Sequence, residues 1–243
     1  MRGRLCCGYL ILLLCCLACQ SNAPTERAAE ELDGKPTPYE GSESPQIFIL
    51  LKSGSLKLGR IIPLAEKVEA AAPFGQLISF SVKNETGEQF AFRIDCGTVL
   101  RARDNRFQDL IVSRSTEGLV APYALWTGKL EVFALQLRRY YPLQPTEYQL
   151  GHLANGELRR FVECFCFNRP DVAGSPPLDL TPAQYAVWCI ADKVTLSQVI
   201  NYARERGKPN AEEQTVLEQQ AREQGNFAQK LLEDCRSTAK FLD

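Results

Sequence analysis

Histidine and methionine are nearly missing: the 243 residues contain one His, His152, and one Met, Met1. A single imidazole rules out a histidine-rich metal centre and a proton relay between histidines, so neither a metal nor a cofactor is expected. Cationic surplus is absent as well. The 28 Lys and Arg stand against 29 Asp and Glu, a net charge of -1, whereas binding a phosphate backbone needs an excess of positive charge; nucleic acid is therefore not an expected partner. With 16 Gly the chain is far from a collagenous repeat, and with 45% hydrophobic residues it is too apolar for a disordered one. No G-x-S-x-G, P-loop or G-x-G-x-x-G string occurs, and no catalytic residue is assigned. What remains is a globular protein of one domain or two small ones.

Cysteine is plentiful, at 10 residues, and half of it lies in the first 19 positions as Cys6, Cys7, Cys15, Cys16 and Cys19. There Arg2 and Arg4 form a basic start and Tyr9 to Leu17 an apolar run, shorter than the roughly 20 residues that span a bilayer as a helix. Residues 1–18 read as a secretory signal peptide. The end of this stretch, Cys16-Leu17-Ala18-Cys19, resembles the lipobox of bacterial lipoproteins. The resemblance implies cleavage before Cys19, acylation of Cys19 with chains such as palmitate, and anchoring to a membrane. Gln20 stands where Asp would favour inner-membrane retention in that family, so the resemblance implies the outer membrane or the cell surface. More than one acyl chain makes such an anchor durable. Residues 20–46 are rich in Ser, Pro, Glu, Gly and Ala, with six acidic residues against Arg27 and Lys35; they read as a disordered, self-repelling tether.

From Ile47 to Phe167 short apolar runs alternate with turn signals, as strands do. Ile47 to Leu51, Leu77 to Val82, Phe90 to Ile94, Val99 to Ala102, Asp109 to Ser113, Lys129 to Leu137 and Arg160 to Phe167 are the expected strands. Asn84-Glu85-Thr86-Gly87 reads as a hairpin-like turn, in preference to a glycosylation sequon. Beyond Pro177 the pattern is helical. Thr181-Pro182-Ala183-Gln184 and Thr195 to Gln198 are capping boxes, and helices are expected to Ala191, to about Gly207, over Ala211 to Gln224 and over Asn226 to Cys235. The expected fold class is α+β: an antiparallel β-sandwich over residues 47–177, then a helical region over residues 178–243.

With Cys19 given to lipid, Cys96, Cys164, Cys166, Cys189 and Cys235 remain. In an oxidising compartment five cysteines allow two disulfides and one thiol. On a strand Cys164 and Cys166 would share one face, and either is expected to reach Cys189. Zinc is not expected from a C-x-C pair with no nearby His. A reactive thiol is the enzymatic reading, which the flanking Phe165 and Phe167 oppose by implying burial. Cys166-Phe167-Asn168 followed by Gln184-Tyr185-Ala186-Val187-Trp188 resembles the thioester domains of bacterial surface adhesins, which implies an internal thioester between Cys166 and Gln184 that captures amines. A looser order of an N-x-T-G turn, Cys96-Gly97, Phe107 to Leu110 and Pro176-Pro177 is similar to secreted bacterial sandwich-plus-helix proteins of unassigned function. Arg138-Arg139-Tyr140-Tyr141 reads as a strand end with snorkelling arginines, or as a seat for an anionic sugar or headgroup. The functional expectation is a lipid-anchored, non-catalytic interaction or structural module with an envelope or surface protein as partner. The alternative is a covalent amine-binding adhesin.

Overall fold

The computed structural model describes residues 37–64, 74–142, 144–168, 181–195, 197–199, 201–202 and 211–239. In chain order the elements are α1 (Ile47–Lys52), β1 (Leu56–Pro63), β2 (Phe74–Asn84), β3 (Phe90–Ile94), β4 (Thr98–Ala102), β5 (Leu110–Val112), β6 (Thr116–Val120), β7 (Leu125–Ala134), β8 (Tyr148–Leu153), α2 (Gly156–Asn168), α3 (Thr181–Ala191) and α4 (Ala211–Ala239).

Six strands close into a barrel in the order β1-β2-β7-β5-β4-β8, with antiparallel pairing at every seam, and β3 and β6 form a separate two-stranded sheet. The expected sandwich is thereby corrected to a barrel. Alternation in a sequence reports that a strand has one buried face, but a sandwich and a barrel both satisfy it. Closure depends on coiling, which bulges increase. Register slips between Leu58 and Ile61, between Phe74 and Gln76, and between Thr98 and Leu100 bend the strands until β1 meets β8 at Ile61 and Tyr148.

Asn84 ends β2 fully buried, and the turn it builds carries the chain from the barrel to the small sheet instead of closing a hairpin. Its Oδ1 accepts from the Thr86 N–H at 2.9 Å, and its Nδ2 donates to the carbonyls of Glu88 at 2.6 Å and Ala121 at 2.9 Å. The small sheet lies on the barrel through aromatic packing. Phe92 meets Phe80 and Trp126 edge-on, with ring centroids at 6.3 and 5.0 Å. Gly118 stands opposite Phe92, and a Cβ there would fall 2.4 Å from its ring, so this close crossing requires glycine.

Two apolar clusters share one wall. Leu100, Leu110, Val112 and Val132 fill the barrel interior. Val99, Ile111 and Phe133, their neighbours along the same strands, point outward and pack with Leu158, Phe161, Val162 and Phe165 of α2, with Ala183, Ala186 and Val187 of α3, and with Ala228 of α4.

Several expected elements change identity. Ile47 to Leu51 lies in helix α1, and Arg160 to Phe167 lies in helix α2. The buried residues of α2, Leu158, Phe161, Val162 and Phe165, recur at i, i+3, i+4 and i+7, which is one helix face. The helical region therefore begins at Gly156 and not after residue 177. Ala211 to Ala239 is one helix of 29 residues, because Gly225 is buried in its middle and does not end it. Residues 37–46 also depart from expectation. They do not trail away as tether but lie along β8 and β4: Glu40 bridges Ala154, and the N–H of Gly41 donates to Leu153 O at 2.8 Å.

Candidate functional site

Helix α2 carries the chemistry-bearing sulfurs, and its pitch decides where they go. Side chains two residues apart on an α-helix diverge by about 200°, so Cys164 and Cys166 point to opposite sides. Cys164 forms a disulfide with Cys235 of α4, with Cα atoms 5.6 Å apart. Cys166 turns toward the barrel. The expected shared face and the expected bridge to Cys189 are both corrected: Cys189 is a half-buried thiol, and burial pushes its pKa up.

Cys166 meets Cys96, a buried thiol just before β4, where Gly97 adopts a φ of 86° that lets the chain turn sharply. Ser115, between β5 and β6, joins the two: its Oγ accepts from the Cys96 N–H at 2.9 Å and lies 4.0 Å from the Cys166 sulfur. The two cysteines lie in one buried cluster, and each thiol shifts the other. Cys166 is drawn down to about 6, first by the neighbouring Cys96 thiol, against the opposing effect of burial, and then by the Ser115 N–H and hydroxyl and the positive charge of Arg114. Cys96 is pushed far up, first by the neighbouring Cys166, then by burial and by the negative charges of Cys166 and Glu163, with only Ser115 acting in the other direction.

The phenylalanines flanking Cys166 do not bury it. The helix sends Phe165 inward against Phe133, with ring centroids 5.4 Å apart, and leaves Phe167 80% exposed. Sequence reasoning missed this because it read the segment as a strand, on which both rings would share a face.

Gln184 serves another purpose. Completely buried, its Oε1 accepts from the Ala134 N–H at 2.8 Å and its Nε2 donates to the Ala134 carbonyl at 2.7 Å. One carboxamide thus continues the ladder at the end of β7 as a neighbouring strand would. The second capping box is present: Thr195 N donates to Gln198 Oε1 at 2.7 Å and Gln198 N to Thr195 Oγ1 at 3.3 Å. Trp188 packs against Leu137 and Val199. Of the two residues expected to form a thioester, Cys166 has its sulfur 4.0 Å from Ser115 Oγ and Gln184 pairs its carboxamide with Ala134.

A second polar cluster, with no counterpart in the sequence reading, gathers where residues 37–46 meet the barrel. Asp109 is buried, and its carboxylate accepts from the Tyr39 hydroxyl, from Gln136 Nε2 at 2.8 Å and from the Ala102 N–H at 2.9 Å. Burial first, then the charge of Asp109 and the hydrogen bond to it, keep the Tyr39 phenol protonated. Arg139 Nη1 approaches the same carboxylate at 3.5 Å, and Tyr140 packs on Phe107, which gives the Arg138 to Tyr141 stretch a structural occupation. Nearby, Glu40 forms an almost fully buried ion pair with Arg101 of β4 at 2.7 Å. Burial would raise Glu40, but the Thr37 N–H, the Arg101 guanidinium, the His152 N–H and the Thr37 hydroxyl outweigh it and hold the carboxyl below its ordinary value. The ring of His152 itself stacks on Phe48 with centroids 5.7 Å apart.

An open groove of about 540 Å³ runs over the outer face of the small sheet, between Gln46 and the β3 and β6 residues Arg93, Glu117 and Leu119. Cys16 to Cys19, the expected lipobox, lie outside the described residues. Among the described residues no helix is long and apolar enough to cross a membrane, and no three His, Cys, Asp or Glu gather as metal ligands. No protein-family model, curated protein or solved structure matches the chain.

Proposed function

We propose that this chain is a lipid-anchored envelope protein, held at an outer membrane or cell surface through Cys19, whose barrel and helices act as a non-catalytic interaction or structural module for another envelope protein. The observation that carries the reading is the string Cys16-Leu17-Ala18-Cys19 behind a basic start and a short apolar run. The Cys164–Cys235 disulfide supports it, since such bridges persist in exported proteins and are rare in a reducing cytosol.

The test is metabolic labelling with an alkyne-bearing palmitate in a Gram-negative host, followed by membrane fractionation. The native sequence should take up label and sediment with the outer membrane, and Cys19→Ala should lose the label and accumulate as an uncleaved precursor. Label retained in Cys19→Ala, or an unlabelled native chain with its mature end elsewhere, would overturn the reading. The covalent-adhesin alternative through Cys166 and Gln184 has its own measurement. A thioester removes one ammonia, so a native mass without that loss sinks it.

A further inference from the structure

We propose that Cys96 and Cys166 are a thiol–disulfide exchange pair, in which the Cys166 sulfur attacks an incoming disulfide, Cys96 resolves the mixed disulfide, and the product is a second internal bridge fastening α2 to the barrel. The inference stands on the packing of α2 and is independent of Cys19, so its failure and that of the lipid anchor are read separately.

Position comes first. Ser115, from the loop between β5 and β6, lies between the two cysteines within one buried cluster: its Oγ accepts from the Cys96 N–H at 2.9 Å and stands 4.0 Å from the Cys166 sulfur. Three separate segments therefore converge on this point: the turn into β4, that loop, and α2. The pair is also asymmetric in a way that suits exchange. Cys166 is half exposed while Cys96 is buried, which gives an incoming disulfide access to one sulfur and reserves the other as its resolver. The charged groups around the pair are Arg114 from the same loop, which favours thiolate at Cys166, and Glu163 of α2, which disfavours it at Cys96. The attacking thiolate is available near neutral pH at Cys166 and not at Cys189.

The exchange balances as follows. Cys166 S⁻ attacks one sulfur of R–S–S–R, the S–S bond breaks, and R–S⁻ departs and is protonated by solvent. Cys166 is then a neutral mixed disulfide, so the charge that kept the proton on Cys96 has gone. Cys96 gives its proton to water, its sulfur attacks the Cys166 sulfur, and the second R–S⁻ leaves and is protonated in turn. Two protein thiols have been oxidised by two electrons and R–S–S–R reduced to two R–SH. The oxidant is any accessible disulfide, low-molecular-weight or protein-borne.

The test uses the full mature chain in detergent, equilibrated in glutathione buffers from reducing to oxidising, then acid-quenched, alkylated and digested without reductant. At the oxidising end a linked Cys96–Cys166 peptide should appear and the intact mass should fall by two hydrogens. At the reducing end both thiols should be alkylated, with Cys164–Cys235 retained. Cys96→Ala, and separately Cys96→Ser, should stop at one glutathione on Cys166, and Cys166→Ser should leave Cys96 unmodified. Alkylation of Cys166 should fall off below about pH 6, whereas an ordinary thiol falls off below about 8.5. In Cys96→Ala that midpoint should move upward, because the neighbouring thiol that lowers it is lost. Each variant is checked for the intact Cys164–Cys235 bridge, which reports folding. Two free thiols across the whole buffer series, a bridge from Cys166 to Cys189 instead, or no glutathione uptake by folded Cys96→Ser would each overturn the proposal.

Discussion

One strand holds both kinds of wall that this barrel has. In β7 the first half alternates, with Leu125, Thr127 and Lys129 exposed, while Leu130, Val132, Phe133 and Ala134 are all buried. The first half shows one face to solvent. The second runs between the barrel interior and the helices, beside β5 and β4, whose every residue is buried. Outward positions on the covered side pack as core, and those on the bare side are ordinary surface, although the strand geometry is the same. Burial on both faces is normally the mark of parallel sheets under helices; here an antiparallel barrel reaches it on one side only.

Mutations measured by chemical denaturation should separate the two walls. Phe133→Ala removes a fully buried ring that faces α2 and should cost about 4 kcal/mol. Opening the helical cover by replacing both Cys164 and Cys235 with Ser frees a 71-residue separation and should cost about 3 kcal/mol, read as a lower unfolding midpoint. Gln184→Ala orphans the buried N–H and carbonyl of Ala134 and should cost about 2 kcal/mol, together with faster amide exchange at the end of β7. Leu119→Ser, on the bare small sheet and 59% exposed, should stay within about 0.5 kcal/mol. Equal effects at Phe133 and Leu119 would mean that the helices do not cover this wall in solution.

The same division explains which parts of the molecule could be read in advance. Strands with one wet face, such as Phe90–Ile94, alternate and were legible. Thr98–Ala102 was legible as a strand, but its two-sided burial, with Arg101 neutralised by Glu40 from a segment that looked like tether, was not. A buried cation on a strand was the available signal that something acidic must cover it. In α2 the local string Val162-Glu163-Cys164-Phe165-Cys166-Phe167 alternates by type, and only the longer window from Leu158 reveals the helical stripe. That one misreading put Cys164 and Cys166 on a common face and hid the Cys96–Cys166 pair. The Gln184 carboxamide satisfies a capping pattern three residues after Thr181 as well as it satisfies the end of a strand, and the sequence held nothing to choose between them. The proposed lipobox, Cys16-Leu17-Ala18-Cys19, is the opposite case, a reading carried wholly by local order in the sequence.

The docking of residues 37–46 also changes how the protein would answer to pulling. A pull on the chain ahead of Thr37 would enter at Glu40, whose bonds to Arg101 and to the His152 N–H hand it sideways into β4 and β8. The closed barrel would take up that tension across neighbouring strands, and the helices joined by the Cys164–Cys235 disulfide would stand outside the path of the force.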